Sequence, residues 1–283
     1  MPFVVTLEKA KEDYPEYTFI RALTPSEQKA AFHVKDKQGK DLCLKIIAPN
    51  YSIDRLNREI RALQSLTHPN IVKLKEYTFS SKEGQSRHYI VEEFVEGTDL
   101  SDLLPVGHQW PTAEASVFFA AICAGLHALK GINLVHRDLK PSNIRVRADR
   151  SPVIIDFGLA RHLDLPDLTR TAEGAAIGTP LYFSPEQFRG TKHDIDHRTD
   201  LFALGILVYQ ALVGRHPFWE AGMTFQQLDD AISTSEKFLM VTEFKRLPRQ
   251  WQLIVGRLLA KERANRPQDA AQVASIFRKI GGT

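Results

Sequence analysis

The sequence predicts an α+β chain in two parts, a small sheet-rich one followed by a larger, mainly helical one. Three observations carry that prediction. Between Tyr17 and about Phe94, apolar and polar residues alternate in strand-length runs, interrupted by one helical pattern. After Gly97, long patterns of helical period take over. The 283 residues, 43% hydrophobic and 25% charged, have an ordinary globular composition, which excludes disordered, collagen-like and coiled-coil chains. Strands first and helices later suggest a small sheet lobe joined to a helical one, with the joint near residues 93–99.

Each element follows from its own pattern. DLCLKII, residues 41–47, is rich in strand formers. Ile53, Leu56, Ile60, Leu63 and Leu66 recur at helical spacing and predict an amphipathic helix over residues 53–66. NIVKLKEYTF and SRHYIVEEF alternate well enough for two more strands. Helical patterns then cover about 112–130, 199–213 and 249–260, with a last one after Pro267. The run LFALGILVYQALVG after Asp200 is apolar on nearly every face, so it must be buried, and Leu201 to Val213 is too short to span a bilayer.

Charge and cysteine content narrow the function classes. Lys plus Arg total 37 against 34 Asp plus Glu, a net charge of +3, which gives no electrostatic case for nucleic-acid or polybasic membrane binding. Cys43 and Cys123 lie in apolar runs and are too few for a disulfide scaffold. The first residues, MPFVVTLEKAKED, lack the pattern of a signal peptide. A cytoplasmic enzyme without nucleic-acid or membrane partners is expected.

The chemistry concentrates in VHRDLKPSNIRVRADRSPVIIDFG, from Val135 to Gly158. Asp138, Asn143 and Asp156 stand beside apolar, strand-like segments, where unpaired polar groups are costly. Such oxygen ligands suit a hard cation such as Mg²⁺, usually held by one or two carboxylates plus substrate phosphates. Lys45 lies in the strand between Leu44 and Ile46, where an ammonium needs an anionic partner. Glu59, on the edge of the apolar face of the 53–66 helix, is the candidate.

This string resembles the catalytic loop and metal-binding motif of the eukaryotic-type Ser/Thr protein kinases. The resemblance covers about residues 17–280 and implies a bilobal protein-kinase-like fold: an antiparallel-sheet N-lobe with one key helix over about 17–94, a hinge at 95–99 and a mainly helical C-lobe over 100–280. It implies phosphorylation of Ser/Thr hydroxyls on protein substrates, with ATP and Mg²⁺ (Mn²⁺ as an alternative ion) as cofactors. Asp138 would be the base, Lys140 would meet the transferred phosphate, and Asn143 and Asp156 would hold the metal. Lys45, oriented by Glu59, would reach the α- and β-phosphates, with the nucleotide near Glu93 and Val95.

The resemblance continues in GTPLYFSPEQ, residues 178–187, which is similar to the end of an activation segment. Thr179 would contact Asp138 and Lys140, Glu186 would pair with Arg266, and Asp200 would either hold the catalytic-loop backbone or simply cap its helix. Arg137, with Arg55 and Arg161, would form a pocket for a phosphate on Thr169 or Thr171, placed there by autophosphorylation, if need be in a transient homodimer.

One stretch departs from the pattern. RALTPSEQKAAFHV, residues 21–34, replaces the glycine-rich nucleotide loop and holds no glycine. Glu92 falls at the gatekeeper position behind the adenine, and Arg145 at a place under it, which leaves room for a Glu92–Arg145 contact. The glycine-free loop is the one feature that favours a docking module with little ATP turnover. A small-molecule phosphotransferase of the same fold typically lacks the lysine after the aspartate and the Pro-Glu anchor, both present here.

Overall fold

The computed structural model of the chain describes residues 3–24, 29–48, 60–82, 85–157, 180–190 and 194–282. The chain divides between Glu96 and Gly97 into two compact units.

The first unit is a five-stranded antiparallel sheet with a short helix laid on it. Helix α1 (Leu7–Asp13) starts at Thr6, whose hydroxyl accepts from the Lys9 N–H at 3.2 Å and so satisfies one orphan donor of the first turn. Strands β1 (Thr18–Ala22), β2 (Lys29–Lys35), β3 (Asp41–Ile47), β4 (Leu74–Lys82) and β5 (Gln85–Glu93) pair in the order β1-β2-β3-β5-β4. Strand alternation gives the sheet two different faces. The register sets Val34, Phe32 and Ala30 opposite Leu42, Leu44 and Ile46, and the last two opposite Val91 and Tyr89. These buried side chains make one apolar face, covered by Ala10 and Tyr14 of α1, with Tyr14 edge-on to Tyr89 at 5.0 Å between ring centroids. The other face carries Cys43, Lys45 and Ile47 of β3 with Ile90 and Glu92 of β5.

Helix α1 and strand β1 escape a reading of sequence pattern alone. A seven-residue helix is shorter than the window in which a 3.6-residue period is distinguishable, and β1 is largely exposed. Of the helix expected over 53–66, residues 60–65 are helical, with Ile60 and Leu63 buried, and residues 53–59 lie outside the described residues.

The second unit begins with β6 (Thr98–Asp99) and α2 (Leu100–Leu103), followed by α3 (Thr112–Gly131), β7 (Ile144–Val146) and β8 (Pro152–Ile154). Then come α4 (Pro185–Phe188), α5 (His197–Val213), α6 (Phe225–Thr234), α7 (Thr242–Arg246), α8 (Arg249–Leu258) and α9 (Ala270–Gly281). Strands β6, β7 and β8 form a small antiparallel sheet. Gly97 enters it at φ +145°, and a Cβ there would run into the Val146 carbonyl, so only glycine fits.

Helix α5 is the spine of this unit. Every residue from Leu201 to Val213 except Gln210 is buried, which explains its lack of a polar face. Gly205 lets α5 approach the end of α8, because a Cβ there would come within 2.8 Å of the Leu258 Cβ. Helix α3 is long and apolar enough to cross a membrane by length and composition. Its Phe118, Phe119, Ile122, Cys123 and Leu126 are instead buried within the unit, where Phe119 meets Phe277 of α9 and Phe277 stacks on Trp251 of α8.

Candidate active site

The loop from Leu134 to Asn143, between α3 and β7, is fixed by buried polar groups. His136 is fully buried; its Nε2–H donates to the Ile155 carbonyl at 3.2 Å, and its Nδ1 accepts the Asp138 N–H at 3.3 Å. Burial lowers the imidazole pKa, which agrees with the neutral tautomer that these two bonds require. Asp200 takes the backbone N–H of His136 and of Arg137, each at 2.8 Å, on its two carboxylate oxygens. Burial pushes the Asp200 carboxyl up, while these bonds favour its charged form. The cap of α5 is Asp196, which accepts the Arg198 N–H at 2.8 Å, so Asp200 acts on the loop and is not the helix cap.

That clamp holds Arg137 at φ +64°, and Asp156 stands at φ +61°. A non-glycine residue in this region costs on the order of 1–3 kcal/mol and persists only where its surroundings over-determine it. Between them lie the groups that the sequence singles out. Asp138 Oδ2 receives Asn143 Nδ2–H at 3.0 Å and stands 3.0 Å from Lys140 Nζ. Asn143 Nδ2–H also donates to the Asp138 carbonyl at 2.8 Å, which closes the loop on itself. The Ile155 N–H donates to the Asn143 carbonyl at 2.9 Å, so Asp156 follows directly on a bond to Asn143.

This donor set fits Mg²⁺. With its amide N–H given to Asp138, Asn143 has its carbonyl oxygen to offer a cation, and Asp156 adds a carboxylate. Among the described residues no cluster of three or more His, Cys, Asp or Glu could hold a metal. Mg²⁺ needs none, since waters and substrate phosphates complete its shell.

The segment from residue 180 to 190 is anchored from the other side. Arg266, fully buried, donates to both oxygens of Glu186 at 2.6 and 2.8 Å, and the Thr199 hydroxyl donates to the same carboxylate at 2.8 Å. Burial alone would raise the Glu186 carboxyl, but the guanidinium and the hydroxyl more than reverse this and hold it below the usual range.

Two further ties have no sequence motif to announce them. Gln187 Nε2–H donates to the Arg137 carbonyl at 2.9 Å, joining α4 to the loop. His216 is partly buried; its Nε2–H donates to the Leu181 carbonyl at 2.8 Å while its Nδ1 accepts the N–H groups of Phe218 and Trp219 at 3.1 and 3.0 Å. Burial pushes its pKa down to about 4. Gln187 follows Glu186 and His216 follows Arg215, so neither stands out from its neighbours in the sequence.

In the first unit, Lys45 has a carboxylate partner that the sequence reading did not name. Its ammonium is bonded to Glu92, and both side chains are buried. Glu59 lies outside the described residues, as do Arg55, Arg161, Thr169, Thr171 and Thr179. Glu93 exchanges bonds with Lys73, its N–H donating to the Lys73 carbonyl at 2.9 Å and its carboxylate accepting the Lys73 N–H at 3.1 Å. Val95 is buried. In the second unit Arg145 donates to Asp99 at 2.8 Å and to the Gly97 carbonyl.

Comparison with known proteins gives this arrangement a family. A family profile described as "Protein kinase domain" matches residues 29–276. The probable serine/threonine-protein kinase PknB of Bifidobacterium longum is 30% identical over 247 residues, 83% of this chain and 35% of that protein. The serine/threonine-protein kinase PknB of Mycobacterium leprae is 31% identical over 254 residues, 86% and 39% of the two chains. The serine/threonine-protein kinase pkn2 of Myxococcus xanthus is 32% identical over 240 residues, 79% and 27%. The chain thus spans well under half the length of the curated relatives it matches. With an antiparallel-sheet unit followed by a helical one, and with the motif residues of its loop tied together, the chain belongs to the protein kinase domain family.

Proposed function

We propose that this chain is an active Ser/Thr protein kinase, transferring the terminal phosphoryl group of ATP to Ser/Thr hydroxyls of protein substrates. The observation that carries this reading is the constellation of Asp138, Lys140 and Asn143, held within 3.0 Å of one another by a loop that Asp200 pins through two backbone bonds. Phosphoryl transfer passes through a loose transition state, so positioning and placed charge do most of the work. Asp138 accepts the proton of the attacking hydroxyl, and the Asn143 N–H fixes the direction of its Oδ2. Lys140 supplies positive charge to the phosphoryl oxygens in transfer. Asn143 and Asp156 hold Mg²⁺, which when bound neutralises developing phosphate charge; Mn²⁺ is the alternative ion. Lys45 serves the α- and β-phosphates, with the nucleotide base near Glu93 and Val95.

The reading extends to regulation and setting. Residues 17–94, 95–99 and 100–280 act as small lobe, connection and large lobe of one kinase domain. Glu59 is a partner for Lys45, Thr179 contacts Asp138 and Lys140, and Arg55, Arg137 and Arg161 receive a phosphate on Thr169 or Thr171. That phosphate is added in a transient homodimer. The cytoplasm supplies ATP and keeps the buried thiols of Cys43 and Cys123 reduced.

The test is phosphate incorporation from radiolabelled ATP with Mg²⁺, comparing wild type with Asp138→Asn and Lys45→Met. Wild type should label itself and a generic protein substrate, while Asp138→Asn should fall by a factor on the order of 10²–10⁴. Labelling that persists in Asp138→Asn refutes the assigned base. Silence in all three, with nucleotide still bound, favours the docking reading. Intact-mass analysis locates any added phosphate, and none at Thr169 or Thr171 removes the regulatory part.

A further inference from the structure

The mechanism above gives Glu92 no task, yet its environment demands one. The residue is 3% exposed and belongs to β5, a strand flanked on both sides within the sheet. Burying a carboxylate costs several kcal/mol unless a cation and hydrogen bonds compensate. Compensation comes from Lys45, 6% exposed, on the adjoining strand β3. The register places Cys43 opposite Glu92 and Lys45 opposite Ile90, so Lys45 and Glu92 are diagonal neighbours on the sheet face away from α1. Both strands are interior to the ladder, and neither backbone can slide without breaking hydrogen bonds on two sides. The pair is therefore held by one rigid element. Glu59, by contrast, belongs to the separate segment predicted as a helix over residues 53–66.

An ammonium carries three N–H donors, so a bond to Glu92 and a bond to a phosphate oxygen do not exclude each other. We propose that Glu92 is a positioning residue for Lys45: it aims the ammonium from within the sheet and thereby sets the affinity for MgATP. It acts through Lys45 and takes no part in proton or phosphoryl transfer. The inference rests on the kinase reading and names the residue that tunes its nucleotide binding.

The experiment measures MgATP dissociation constants and steady-state kinetics for wild type, Glu92→Gln, Lys45→Met and the double variant. Glu92→Gln should raise Kd and KM for ATP about tenfold, the loss expected for one charge-assisted bond, with a smaller change in kcat. In the Lys45→Met background the same substitution should change Kd by less than about twofold. Glu92→Asp, which keeps the charge with a shorter reach, should fall between wild type and Glu92→Gln and serves in its place if Glu92→Gln does not fold. Wild-type affinity in folded Glu92→Gln or Glu92→Asp overturns the inference alone, as does an effect of equal size in the presence and absence of Lys45. A wild type that neither binds MgATP nor transfers phosphate overturns the kinase reading first.

Discussion

In the second unit, Asp138 stands on a loop tied down by residues far away in the chain: Asp200, 64 positions from His136, and Gln187, 50 from Arg137, with Glu186 itself pinned by Arg266 across 80. In the first unit, Lys45 and Glu92 need no such outside help, because the hydrogen-bond ladder between β3 and β5 already fixes both backbones. The difference follows from the local structure. A loop that holds Arg137 at positive φ stores strain and must be over-determined by buried bonds, whereas a strand is already in its preferred conformation. Substitutions should then act differently in the two units, through loss of buried anchors in one and of face packing in the other.

The largest effect is expected at Arg266. Arg266→Met leaves the Glu186 carboxylate buried and uncompensated, which should cost about 3–5 kcal/mol in urea unfolding. Pairing it with Glu186→Leu should recover most of that loss, since an apolar pair of similar volume is tolerated far better than half an ion pair. Failure of the double variant to recover would mean that the network matters beyond this one pair.

The next concerns His216 and pH. Its folded pKa of about 4 lies below the ordinary 6.5, so the unfolded chain binds the proton more readily. The stability from the neutral ring is fully present above 6.5 and is lost as the pH falls toward 4, by about 3 kcal/mol in all. His216→Asn should flatten the pH dependence of stability across that interval. An unchanged slope would assign it to other groups.

The smallest expected effect lies in the first unit. Removing residues 1–16 uncovers the apolar face of β2, β3 and β5 and loses the burial of Tyr14, about 2–4 kcal/mol. Amide exchange should quicken in those strands while α5 keeps its protection. Equal loss in α5 would show that the second unit depends on this face as well, and the contrast between the units would fail.

Much of this was legible in the sequence. The 41–47 strand and the helices near 112–130 and 199–213 announce themselves because each runs long enough for its period to show. Glu186 with Arg266, and Asp200 with the loop, were reachable through the resemblance, because motif residues at fixed spacing carry roles with them. Helix α1 was not legible, being too short for a period, nor was the bond between Lys45 and Glu92. A strand lysine announces its need for a carboxylate, but that Glu92 meets it depends on register, and sliding one strand by a single residue would turn Glu92 to the other face.

By itself, then, the sequence determined the family, the order of sheet and helices and the residue types of the site, since these follow from local periodicity and from motifs contiguous in the chain. Only the tertiary structure decided who bonds to whom. It placed Glu92 on Lys45, set Asp200 as a clamp and not a cap, and made His216 and Gln187 ties to the residues before α4 and to the loop. The physical reason is that a buried polar group takes whichever partner the packing brings within about 3 Å, and that proximity is a property of the folded chain.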